Sequence, residues 1–265
     1  MIRSKRMAAS ILLAFSVLCV QGNGALAADK AAARILESAE AIGRLSQKIA
    51  KAYFYRQQRI RVSHANRELK ASTSALDREI KKLSAASLDD EEKNVLMFIA
   101  FTRDEMKEVI SQAYTEENGA LMLDFSDSLL EGSELIASKH TQKKDFKEAM
   151  LVTMKRNLFL LERITKYYIA FRAGFKDYNN IVQLKEAIQK FESNLKKINA
   201  FKGYPKKLNA SVQKVNQFWP IAKRFYLGVE KGALPVIVLA STDNLIKELK
   251  KLETFHRNAL VGGKG

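Results

Sequence analysis

Cysteine is almost missing from this chain. The one residue of that type, Cys19, sits in the N-terminal segment. No intrachain disulfide can form, and a mature chain cut beyond it has no thiol chemistry. Proline occurs three times, at 205, 220 and 235, and the few glycines fall where helices are expected to end. No run alternates polar and apolar residues with a period of two, which argues against half-buried strands. The three histidines, His64, His140 and His256, are far apart and have no local partner of ligand type. Metal binding needs convergent ligands, so no metal site is expected. No Ser-His-Asp order, glycine-rich phosphate loop or paired-carboxylate signature stands out. We expect neither an enzyme nor a cofactor.

What is present begins with a leader. Met1–Met7 is basic, Ala8–Val20 is apolar, and Gly24-Ala25-Leu26-Ala27 offers a small-x-small cleavage site. The pattern predicts a signal peptide over 1–27, cut after Ala27, and a periplasmic mature protein. The apolar run is short for a bilayer, which needs about 20 apolar residues. No later stretch is long and apolar enough to span one, so the cleaved chain is not expected to cross a membrane. Leu18 stands where a lipobox wants a small residue, which disfavours acylation of Cys19.

The chain carries a formal charge of +16, of which Arg3, Lys5 and Arg6 leave with the leader. A mature protein this basic favours anionic partners through long-range attraction. Outside the cytoplasm these are anionic lipid, polysaccharide or small anions. Nucleic acid is disfavoured by the compartment, and the lysines and arginines can equally form solvated helix faces.

Ile35, Ala39, Ile42, Leu45, Ile49 and Ala52 keep a three-four rhythm over several turns, as an amphipathic helix requires. The same rhythm predicts helices over 30–60, 64–85, 89–115 and 119–139, then over 144–173, 178–200, 206–228 and 233–258. Asp89-Asp90-Glu91-Glu92 puts acids in a first turn. Glu116–Gly119, Gly174, Lys202–Pro205 and Lys231-Gly232 act as breaks.

The two sets repeat. A shift of 115 places Leu45–Tyr53 on Leu160–Tyr168, with Leu, Ile, Lys and Tyr identical and Lys48 matched by Arg163. It also pairs Leu76 with Phe191, Ile80 with Leu195 and Lys81-Lys82 with Lys196-Lys197. A shift of 116 pairs Asp127, Leu129 and Ile136 with Asp243, Leu245 and Leu252. The fold expected is all-α, two tandem antiparallel four-helix bundle units over 28–142 and 143–265. Ser138–Lys144 forms a polar junction, unless the fourth and fifth helices fuse into one rod.

Gly43-Arg44-Leu45-Ser46-Gln47-Lys48-Ile49-Ala50-Lys51 resembles the opening motif of the PilJ-like N-terminal domain of type IV pili methyl-accepting chemotaxis transducers, related to the NarX-like nitrate sensor domain. The family motif reads Gln-Arg-Met-Leu-Ser-Gln-Arg-Met-Ala-Lys, and the match is strong over Leu45–Lys51. Leu160, Glu162, Arg163, Ile164 and Lys166 carry it weakly in the second unit. Leu76-Asp77-Arg78 and Phe218-Trp219 also look similar to family features. The resemblance implies a periplasmic four-helix sensor for a small ligand, coupled to a membrane signalling protein. In the nitrate branch an arginine of the first helix holds the anion between two symmetric first helices. Gly43 and Leu158 stand at that position here, so the resemblance does not carry nitrate binding over.

The candidate ligand residues are therefore Arg44, Ser46, Gln47, Lys48 and Arg163. A guanidinium offers rigid paired donors to an oxyanion and keeps its charge. The alternative is a cationic face whose long stems cover apolar neighbours; Lys51 and Arg156 pose the same choice. Tyr53, Phe54, Tyr55, Tyr167, Tyr168 and Phe171 read as core rather than as a ligand pocket. Asp127 and Asp243 read as caps or first-turn acids. Two functions follow. One is a ligand-binding sensory module for a small anion, in which either the two first helices pack side by side around an amphiphilic anion or the two bundles are strung end to end with those helices remote. The other is an envelope interaction protein that docks basic faces on anionic lipid, polysaccharide or protein.

Overall fold

A computed structural model describes residues 12–141, 146–232 and 234–262. The expected leader therefore lies partly outside the described residues. Eight α-helices follow one another: α1 (Leu12–Gln57), α2 (Val62–Ser84), α3 (Asp90–Ser111), α4 (Glu116–Lys139), α5 (Phe146–Arg172), α6 (Tyr178–Ala200), α7 (Lys206–Leu227) and α8 (Pro235–Gly262). A short 3-10 turn, Val229–Lys231, leads into the last. The fold is all-α, and no strand occurs among the described residues.

The packing repeats as the sequence does. α1 lies against α2 and α4, α3 against α4, and α2 meets α3 more lightly. In the second unit α5 lies against α6 and α8, α7 against α8, and α6 meets α7 lightly. The two units are antiparallel helical bundles joined along one seam, where α1 packs on α5. Apolar residues at the three-four spacing, such as Ile42, Ile49, Leu161 and Ile164, are fully buried. Burial of such side chains contributes roughly 1.5–3 kcal/mol each.

Several helix ends differ from the sequence expectation, each for a physical reason. α1 stops at Gln57 because Arg59 and Arg61 adopt left-handed backbone, φ 55° and 46°. No glycine or proline marks that turn. Glu116–Gly119, expected as a break, is instead the first turn of α4. Thr115 caps it by accepting from Asn118 N, and Glu116 and Glu117 complement the dipole. Asp89 and Glu92 form a reciprocal capping box at the start of α3. α4 ends at Lys139 and α5 starts at Phe146, so they are two helices and not one rod.

Candidate functional site

The seam between α1 and α5 is crossed by several ion pairs and hydrogen bonds. The two helices run parallel: Lys155 Nζ lies 3.0 Å from Glu40 Oε2, and further up Arg163 Nη1 lies 3.3 Å from Gln47 Oε1. Contacts thus join residues 115 and 116 positions apart, the shifts that relate the two halves of the sequence. Side-by-side packing of the first helix of each unit is what the structure has, not two bundles strung end to end.

Glu40, Arg44, Gln47 and Lys51 form one stripe of α1. Glu40 reaches Lys155, Gln47 reaches Arg163, and Lys51 Nζ reaches Glu162 Oε2 at 2.6 Å. Lys51 is fully buried and also donates to Glu68 Oε1 of α2 at 3.0 Å. Burial lowers the pKa of this ammonium, but Glu162 and Glu68 outweigh burial and hold it well above the usual lysine range.

Lys166 occupies the equivalent place on α5 and is also fully buried. It donates to Asp127 Oδ1 at 2.8 Å and to Ser126 Oγ at 3.1 Å. Asp127 further accepts from Arg163 Nη1 at 3.1 Å and Tyr167 Oη at 2.9 Å. Two cations thus share one carboxylate, where Lys51 has two carboxylates, of which it shares Glu68 with Lys48. Burial, with the Arg163 charge beside it, pulls the Lys166 pKa down to about 7 against the attraction of Asp127. Burial would raise the Asp127 pKa, but Lys166 and Arg163 hold it below the usual carboxylate value. Asp127 is mid-helix in α4, and Asp243 is mid-helix in α8, paired with Arg61 at 3.1 Å. Neither is the cap or first-turn acid that the sequence suggested.

Alongside the seam lies an open cavity of about 740 Å³. Gly43 and Leu158, the places where the resemblance expects arginine, both line it. A Cβ on Gly43 would lie 2.7 Å from Ser133 Oγ and 3.0 Å from Leu130 Cδ1. α4 approaches α1 too closely there for a long side chain. Phe159 adds apolar wall.

Of the sequence candidates, Arg44 and Arg163 line this cavity. Arg163 is already engaged by Asp127, Gln47 and Gln183. Ser46 and Gln47 are buried within the seam: Ser46 donates to Gly43 O at 2.8 Å, and Gln47 donates to Ser126 O at 2.9 Å. Lys48 turns to Glu68 of α2, 3.4 Å away. Arg44 is half-buried and makes no ion pair or hydrogen bond; exposed Arg156, on the α5 wall of the same cavity, likewise makes none. Most cavity carboxylates are taken: Glu37 by Arg257, Glu40 by Lys155, Glu79 by Lys82.

Sequence reasoning missed Lys51, Glu68, Glu162, Asp127 and Lys166 as a linked set. The signal available was the repetition of lysine at 51 and 166. The core aromatics are buried as expected, but the hydroxyls of Tyr53 and Tyr55 have no hydrogen-bond partner. No group of three or more potential metal ligands gathers among the described residues, and no helix there is long and apolar enough to cross a membrane. No protein-family model, curated protein or solved structure matches the chain.

Proposed function

We propose that this chain is an exported, periplasmic ligand-binding or sensory module that takes a small anionic molecule between α1 and α5 and acts through a membrane partner. Arg44 carries the proposal. It is the one member of its α1 stripe without a partner on α5, and it stands on the cavity wall at the level where the seam opens. A half-buried guanidinium gains most from an anion, since the surrounding low dielectric strengthens the pairing. Arg156 sits within one helical turn of that level on the facing helix, counting along parallel helices at about 1.5 Å per residue. The leader pattern supports export, and the motif at Leu45–Lys51 supports a sensory role.

The test is a thermal-shift series with small mono- and dicarboxylates, sulfonates and inorganic anions. A ligand that binds only the native state raises the melting temperature by mass action, about 2.7 kcal/mol at a hundred times Kd. An Arg44→Ala, Arg156→Ala variant should keep its fold, because neither side chain has a partner to lose, and should lose the shift. Saturable anion binding that survives in that variant would refute the assignment.

A further inference from the structure

The two first helices do not offer a bound anion the same surface. At the 115-residue shift, Arg44 of α1 corresponds to Phe159 of α5. The contacts Glu40–Lys155 and Gln47–Arg163 bracket this pair on the parallel helices, so the unpaired guanidinium and the half-buried phenyl ring stand at one level of the seam. Both line the α1–α5 cavity. Two facing arginines would enclose an inorganic oxyanion from both sides. Here one side supplies charge and the other supplies an apolar face.

The apolar face extends beyond the ring. Leu158 of α5, Leu130 of α4 and Ala187 of α6 line the same cavity. Leu36 and Val152 line it roughly two turns nearer the helix starts. Its volume of about 740 Å³ falls among sites for organic ligands, which run to about 300–1,000 Å³. An inorganic anion on Arg44 would fill little of that space and leave the half-buried Phe159, Leu130 and Leu36 in water. An alkyl or aryl body would cover them, and removing apolar surface from water is favourable.

Charge limits the ligand to one negative group. The cavity is lined by seven Lys and Arg and by six Glu. Apart from Arg44 and Arg156, each of these cations has a carboxylate partner; apart from Glu134 of α4, each of these carboxylates has a cation. Glu134 has no partner among the described residues. Two free cations thus stand against one free acid, an excess that a monoanion neutralises. A second carboxylate on the ligand would meet either Glu134 or the apolar wall, and both oppose a negative charge.

We propose that the cavity takes a monocarboxylate with an alkyl or aryl body, its carboxylate on Arg44 and its body against Phe159. The proposal rests on the reading of this cavity as an anion site and narrows it to one chemical class. Exposed Arg156, on the α5 wall, adds attraction for the same carboxylate.

The experiment is titration calorimetry of the full chain with butyrate, hexanoate and octanoate, and with suberate and norleucine for comparison. Affinity should rise about two- to fourfold per methylene from butyrate to octanoate, as partial to full burial of each CH2 dictates. Suberate carries a second carboxylate at the far end of the octanoate chain and should bind about tenfold more weakly than octanoate. Norleucine is hexanoate with an ammonium beside its carboxylate and should bind more weakly than hexanoate. Phe159→Ala should flatten the dependence on chain length, with circular dichroism confirming that it is folded; the series on the parent protein decides the matter even if that variant fails to fold. Binding that is lost in Arg44→Ala, Arg156→Ala but is equal for butyrate and octanoate, or as strong for suberate as for octanoate, would overturn the ligand class and leave the anion site standing. Tighter binding of norleucine than of hexanoate would also overturn it, by placing an ammonium on Glu134. Binding that survives in Arg44→Ala, Arg156→Ala, or no binding of any of these acids or of inorganic anions, would overturn the anion site as well.

Discussion

Lys155 and Glu40 meet at 3.0 Å although 115 residues separate them, and 115 is also the shift that superimposes the two halves of the sequence. In a symmetric parallel dimer, each residue near the axis meets its own counterpart or a neighbour of it. The chain reproduces that arrangement within one molecule. The seam is asymmetric in charge: Lys51 finds Glu162, whereas Gln47 stands at the position equivalent to Glu162 and Lys166 takes Asp127 instead.

This register can be trapped. With Cys19→Ser, Glu40→Cys and Lys155→Cys, a short bis-maleimide should link the two cysteines within one chain. Intact mass and a peptide map would identify the product. Only intermolecular links would mean that α1 and α5 are not neighbours in solution.

Lys51 should be the costliest surface-type residue to remove. Its loss strands Glu162 in a buried place, while Glu68 keeps Lys48, and removing one partner of a buried pair costs about 3–5 kcal/mol. Urea denaturation of Lys51→Met should show a drop of that order. Adding Glu162→Met should recover part of it, because replacing both partners with apolar groups removes the stranded charge. Additive losses in the double variant would show that the two do not interact.

That lysine also shows where the sequence stops being informative. The helices and the repeat were legible because apolar spacing and a constant shift depend on the chain alone. Lys51 sits at the edge of that apolar stripe, where a lysine ordinarily reaches solvent with its stem on the core. Its burial depends on α5 lying across the same face, which no local pattern encodes. Asp127 was misjudged for the same reason: its partners Lys166, Arg163 and Tyr167 are 36 to 40 residues away. Arg44 was legible as a cation near the motif. That it lacks a partner among paired neighbours became visible only from packing.

Gly43 should tolerate little growth. Alanine would gain helix propensity of up to about 1 kcal/mol but must displace the Ser133 hydroxyl. A valine or leucine must push α4 from α1, and overpacking of this kind costs about 1–3 kcal/mol. Thermal melts of Gly43→Ala, Gly43→Val and Gly43→Leu should fall in that order. A stable Gly43→Leu variant would mean that α4 can give way, and that the cavity can be filled from this position.

The last expectation concerns Lys166 and has a definite sign. Its pKa is pulled to about 7 in the folded protein by burial, against an ordinary lysine value near 10.4 in an unfolded chain. Between those values the unfolded state binds more protons than the folded state, so this residue makes stability rise with pH. Below pH 7 both states hold the proton, and the folded state bears the full penalty of a buried charge shared with Arg163. Lys51 acts oppositely: its pKa is raised, so its favourable contribution is complete below the unfolded value and is lost as pH rises toward the folded one. A Lys166→Met variant isolates the first effect, since Asp127 keeps Arg163 as its partner. The stability of this variant relative to the parent should be greatest near pH 6 and should decline steadily as the pH is raised from 7 to 10. Urea midpoints of both proteins across that range decide it. A difference that does not change with pH would mean that Lys166 keeps its proton throughout, held by Asp127 more strongly than burial expels it.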